Sequence, residues 1–79
     1  MNNEPLVHNR VKLARVEKGY TQQELADLVG VTRQTIGLIE GEKYNPTITL
    51  CLNLARILEK KLDDLFWLEG GTKNGWKTN

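Results

Sequence analysis

The stretch Thr21 to Gly41, TQQELADLVGVTRQTIGLIEG, constrains the fold most, because it carries its own starts and stops. Thr21 and Glu24 form a capping box, in which the Thr21 hydroxyl accepts from the Glu24 backbone N–H and Glu24 reaches back to Thr21. A short helix follows with Leu25, Ala26, Leu28 and Val29 apolar, and Gly30 stops it. Val31 and Thr32 make the turn, with Thr32 as a second N-cap. The next helix is predicted from Arg33 to about Glu40, with Ile36 and Ile39 one turn apart and facing inward, and Gly41 ends it.

The flanks read as further helices. Asn9 to Lys18 contains no Gly or Pro and places Val11 and Ala14 one turn apart, with Val7 a turn earlier. Leu13 and Val16 are expected to widen that apolar stripe, and Gly19 to supply a left-handed C-cap. Glu42 to Pro46 is a polar loop, since Pro46 disfavours helix at Asn45. Thr47 caps a longer helix from Ile48 to about Lys60, with Ile48, Cys51, Leu54, Ala55 and Leu58 predicted inward. Leu62 or Asp63 begins a last turn or two with Leu65 and Phe66, and the Asp63-Asp64 pair reads as its cap and first turn. Residues 69–79 hold little apolar material and are expected as a tail. No strand long enough to build a sheet is expected inside the domain. The predicted fold is all-α: a compact four- to five-helix domain over residues 1–68, followed by a C-terminal tail over 69–79.

Seventy-nine residues allow one domain and a small core. The single Cys excludes an internal disulfide framework, and C-x-x-C metal spacing is absent. Cys51 falls on the inward stripe and is expected to be inert core. His8 has no ligand-spaced partner and is expected at the surface or in the first helix. No nucleophile–base pair, phosphate loop or metal cluster is legible, so neither an enzyme nor a cofactor is expected. With no membrane-length apolar run and no signal segment, the expected location is the cytoplasm. The net charge of +1, from 11 basic and 10 acidic residues, does not discriminate among partners, because placement of charge decides binding.

Placement does discriminate. Two short helices joined by a Gly-containing turn form a helix-turn-helix over residues 22–41. Leu25, Val29, Val31, Ile36 and Ile39 fill the space between the helices and the core, and Ala26 is small where the second helix passes close. With that face occupied, Arg33, Gln34 and Gly37 point outward, with Leu38 beside them and Thr32 at the helix start. Arg pairs bidentately with guanine and Gln with adenine, so this end of the helix is suited to base edges. The helix N-termini offer unsatisfied N–H groups to phosphates.

The motif TQQELADLVGVTRQTIGLIEGEKYNP resembles the phage Cro and lambda-type repressor family of Xre-like regulators, over roughly residues 9–68. The resemblance implies a recognition helix at residues 33–40 that enters the major groove of double-stranded DNA. It implies base contacts by Arg33, Gln34 and Leu38, with Gly37 on the same face. It also implies phosphate contacts by Gln22, Thr32, Thr35, Lys43, Tyr44 and Asn45, and an Arg15–Glu40 ion pair that ties the first helix to the end of the recognition helix. Two residues depart from the family pattern. Gly37 lies inside the recognition helix, costing about 1 kcal/mol relative to Ala and removing a side chain that commonly reads bases. Glu42 adds an anion to the loop that approaches DNA.

Leu50, Leu52 and Ile57 lie off the predicted inward stripe, and Phe66, Trp67 and Leu68 cannot all face inward from a final turn. They predict an exposed apolar patch and a homodimer interface formed by Leu50, Ile57, Phe66, Trp67, Leu68 and Trp76, with arm residues 2–7 or tail residues 68–77 pairing as short strands. The resulting expectation is a sequence-specific regulator, a repressor on a palindromic operator. The alternatives are an antitoxin-like module binding a protein partner through the C-terminal aromatic region, and a co-activator contacting polymerase through its tail.

Overall fold

The computed structural model describes residues 7–70 and contains five helices and two short strands. In chain order they are β1 (Val7–Asn9), α1 (Val11–Lys18), α2 (Gln22–Val29), α3 (Arg33–Glu40), α4 (Ile48–Leu58), α5 (Leu62–Leu65) and β2 (Phe66–Leu68). The fold is all-α in its substance, as expected.

Three helices begin at side-chain caps, whereas α1 and α5 start after Arg10 and Lys61 without one, so Asp63 and Asp64 both lie in the first turn of α5 and neither is its cap as expected. The Thr21 hydroxyl accepts from the Glu24 N–H at 3.0 Å, and Glu24 Oε1 accepts from the Thr21 N–H at 2.8 Å, completing the capping box. Thr32 caps α3 through the Thr35 N–H at 3.1 Å, and Thr47 caps α4 through the Leu50 N–H at 3.2 Å. Gly30 holds φ +78° at the turn between α2 and α3, in the left-handed region that costs a side-chain-bearing residue about 1 kcal/mol. α4 instead ends on a left-handed Glu59 at φ 58°.

All five helices contribute to one core. Val11 and Ala14 of α1, Leu25 and Ala26 of α2, and Ile36 and Ile39 of α3 meet Leu54 and Leu58 of α4 and Leu65 of α5. Three expectations about which side chains reach it are corrected. Leu50, assigned to the outer face, is only 8% exposed, because it lies one and two turns before Leu54 and Leu58 on the same side of α4. Ile48, predicted inward, is 63% exposed, since the first residue of α4 projects past the elements the helix packs against. Leu13 and Val16 are also exposed, so the buried stripe of α1 is narrow. Cys51 is buried as predicted, and loss of hydration pushes its thiol pKa up, which keeps it protonated.

The strand pair is the second departure. β1 and β2 run antiparallel, with Val7 opposite Leu68, His8 opposite Trp67 and Asn9 opposite Phe66. The first helix therefore starts at Val11, because Asn9 belongs to the strand, and Phe66 leaves the last helix for β2. Val7 of the expected dimer arm thus pairs within its own chain. The Asn9 side chain locks the arm: Nδ2 donates to the Ile39 carbonyl at 2.9 Å, and Oδ1 accepts from the Val11 N–H at 3.0 Å. One amide thereby satisfies an orphan donor at the start of α1 and adds a second hydrogen bond to the Ile39 carbonyl, which also accepts from the Glu42 N–H at 3.0 Å. Asn9→Ala should destabilise the domain by about 1–3 kcal/mol, read from urea unfolding, because the part-buried Val11 N–H loses its partner and the Ile39 carbonyl keeps only the Glu42 N–H. A cost below about 0.5 kcal/mol would show that water replaces the amide freely.

Candidate nucleic-acid interface

α2, its turn and α3 form one unit because small residues stand where the two helices approach. Ala26 is fully buried, and its carbonyl accepts from the Val31 N–H at 3.0 Å, drawing the chain back over the end of α2. Ile36 and Ile39 then point into the core and turn the opposite face of α3 to solvent. Thr32, Arg33 and Gln34 lie exposed at its N-terminal end, and Leu38 is 41% exposed one turn on. Among the described residues nothing hydrogen-bonds the Arg33 or Gln34 side chain, so both are available to a ligand. Thr35 and Gly37 are half-buried on the same helix, and the Thr35 hydroxyl lies 3.0 Å from that of Thr32.

The far end of α3 is fixed instead of free. Arg15 Nε donates to Glu40 Oε2 at 2.7 Å, and an Arg15 terminal N–H donates to Oε1 at 3.3 Å. Gln22 Nε2 donates to the same Oε1 at 3.0 Å, and the other terminal Arg15 nitrogen donates to the Tyr20 carbonyl at 2.9 Å. The two charged side chains are 12% and 5% exposed, respectively. The Arg15–Glu40 pair implied by the family resemblance is therefore present, and Gln22 extends it to α2. Gln22 keeps one amide N–H and its carbonyl oxygen beyond this bond.

The loop after α3 holds exposed Lys43, Tyr44 and Asn45 in a row. It is folded against the helix end by the Lys43 N–H donating to the Leu38 carbonyl at 2.8 Å. Glu42 precedes them with φ 60°, and its carboxylate turns away from solvent-facing Lys43 towards the N-terminal arm. There it meets His8 Nδ1 at 3.0 Å and the Asn9 N–H at 3.4 Å. Sequence reading missed this contact, since His8 and Glu42 are neighbours only once β1 has paired with β2.

The expected dimer residues divide. Leu50 lies in the core, and Ile57 and Phe66 are half-buried against it. Trp67 is half-buried beneath the Arg10 guanidinium, 4.7 Å from the ring centroid, a cation–π contact. Leu68 remains exposed beside Ile48 on an apolar groove of about 400 Å³ that Val7, Leu62, Phe66 and Trp67 also line. Trp76 lies outside the described residues. Among the described residues no helix is long and apolar enough to cross a membrane.

Comparison with known proteins places this geometry. The helix-turn-helix family HTH_3 matches residues 11–65, which spans α1 through α5. An uncharacterised HTH-type transcriptional regulator, YgzD of Bacillus subtilis, is 44% identical over 61 residues, covering 77% of this chain and 92% of its own. The restriction-modification controller protein C.AhdI of Aeromonas hydrophila is 31% identical and superposes with a TM-score of 0.65, over 70% of this chain and 80% of its own. The biofilm master regulator SinR, solved in complex with DNA, is 33% identical with a TM-score of 0.64, over 68% and 87% of the two chains.

Two outcomes follow from the geometry of α3. Arg15→Met leaves the nearly buried Glu40 carboxylate with Gln22 as its remaining side-chain partner and should cost about 3–5 kcal/mol in urea unfolding. Gly37→Ala should raise stability by up to about 1 kcal/mol. The added Cβ would meet only Gln22 Nε2, at an ordinary 3.9 Å, so helix propensity gains without a clash. A lowered melting temperature in Gly37→Ala would reveal a crowding that this packing does not contain.

Proposed function

We propose, from the premise that this chain belongs to the helix-turn-helix family HTH_3 matched over residues 11–65, that it represses transcription as a homodimer on a palindromic operator. It is a DNA-binding helix-turn-helix regulator at the coarser level, in keeping with its relatives and with a structural neighbour solved on DNA. The observation that supports base reading by this helix is the asymmetry of α3. Its C-terminal end is immobilised by Arg15, Gln22 and Asn9, whereas Arg33 and Gln34 extend unpartnered from its N-terminal end.

On this reading α3 enters the major groove, where Arg33 and Gln34 read base edges and Leu38 meets a thymine methyl. Gly37 brings the helix backbone close to the bases without contributing a side chain. Gln22, Thr32, Thr35, Lys43, Tyr44 and Asn45 hold phosphates on either side and set the register. The second copy docks through the groove beside Ile48 and Leu68, with Ile57, Phe66 and Trp67 supporting it from below. Leu50 has no part in that interface, being core. Two recognition helices then lie about 34 Å apart, one turn of duplex.

Selection from a random duplex pool at about 0.1 M salt tests this, since screening there suppresses non-specific attraction. Enrichment of an inverted repeat with half-sites one turn apart is expected. A pool that stays random after several rounds would refute autonomous base reading and direct attention to a protein partner. On the selected site, Arg33→Ala should cost about 1–3 kcal/mol and relax preference at one base pair. Lys43→Ala should weaken all duplexes evenly and reduce the slope of log K against log salt by about 1. Uniform weakening by Arg33→Ala would assign that side chain to phosphate.

A further inference from the structure

A charged cluster outside α2 and α3 reaches the loop that follows the recognition helix. His8, the single histidine of the chain, has Nδ1 3.0 Å from Glu42 Oε1 and Nε2 3.2 Å from Glu69 Oε1. Ionised carboxylates only accept hydrogen bonds, and a neutral imidazole carries one N–H. Both contacts are satisfied together only when both ring nitrogens donate, which is the imidazolium. The charged groups facing the ring are Glu42 from the α3–α4 loop, Glu69 from the residue after β2, and Arg10, which stacks on the Trp67 ring next to it. The Trp67 ring itself is tilted against the imidazole with centroids 6.1 Å apart. The hydrogen bond to Glu42, then that to Glu69, raises the His8 pKa above its ordinary 6.5, outweighing partial desolvation.

Glu42 is the link to DNA. It stands between the end of α3 and Lys43, Tyr44 and Asn45, and a free carboxylate there would repel a phosphate backbone. Resting on the regulatory reading above, we propose that His8 is a positioning residue for this loop: its imidazolium anchors and neutralises Glu42, so that duplex binding takes up a proton on His8. When the ring is neutral, one of the two carboxylates loses its donor and the cluster gains a negative charge beside the incoming phosphates. Phosphates, in turn, favour the imidazolium. The sign follows from linkage: a group whose pKa is raised in the folded state stabilises fully below its unfolded value, and that contribution is lost as pH rises through the raised value. Anchoring of the loop is lost over that window, and DNA affinity falls over the adjoining higher one, between the His8 pKa of the free domain and that of the complex.

The test combines imidazole NMR with binding of the selected duplex from about pH 5.5 to about pH 8 at fixed salt, a range in which histidine is the one side chain that ordinarily titrates. Four proteins are compared: wild type, His8→Gln, Glu42→Gln and Glu69→Gln. His8→Gln keeps a neutral donor for Glu42 but cannot titrate. Glu69→Gln lowers the His8 pKa from a position away from the loop, so it serves even where a change at Glu42 disturbs loop folding. Wild-type affinity should fall with rising pH, by about tenfold for each unit by which the duplex raises the His8 pKa further. The slope should vanish in His8→Gln, and the window should move to lower pH in Glu69→Gln. Binding that is present but equally pH-dependent in wild type and His8→Gln overturns this inference and leaves the regulator intact. An imidazole that titrates at or below its ordinary value overturns it too. Absence of binding to any duplex at every pH overturns the regulatory reading and this inference together.

Discussion

The carboxylate of Glu40 is the point on which the arrangement of this domain turns. It sits at the C-terminal end of α3, where the helix dipole disfavours an anion, and it is almost wholly withdrawn from water. Both penalties are offset by donors from two other helices, Arg15 of α1 and Gln22 of α2. Such a pair adds little stability over an apolar replacement. Its contribution here is directional. The contacts of Ile36 and Ile39 with the core are non-directional and would tolerate a small rotation or slide of α3. Three hydrogen bonds converging on one carboxylate do not, and the outward side chains of α3 inherit that setting.

The short sheet extends the same logic to the rest of the molecule. β1 and β2 are each three residues long and could not persist alone. They are held because Phe66 packs on the core and because the Asn9 amide joins α3 to α1. The arm is thereby a strap across the far end of α3, leaving the near end open. A helix clamped at one end and free at the other presents Arg33 and Gln34 with little loss of entropy on binding, since the backbone carrying them is already fixed.

How much of this was legible in the sequence depends on how far apart the interacting residues lie. The capping box of α2, the N-cap of α3, the glycine stops and the inward pairs of both helices are local, and the residues from Thr21 to Gly41 announce them directly. The Arg15–Glu40 pair spans 25 residues and became visible only through family resemblance. The contact of His8 with Glu42 spans 34 residues, needs the strand pair first, and has no periodic or capping signal behind it. α4 misled for a different reason. A helix this apolar offers two overlapping stripes, and only the placement of its neighbours decides that Leu50 goes in while Ile48 stays out.

Near-neutral charge gives these details their weight. A net charge of +1 provides little long-range attraction to a polyanion, so affinity must come from a few groups correctly placed. That restraint carries an advantage, because a regulator competes against a genome of non-specific sites and is judged by the ratio of affinities. An acid at the loop, as Glu42 is, lowers the non-specific term wherever it is left unpaired. Held by His8 it is screened, and on the proposed reading the loop can then approach a phosphate backbone. On that reading the same residue opposes indiscriminate binding when unpaired and permits the specific complex when held, and the histidine that the fold brings to it decides which role prevails.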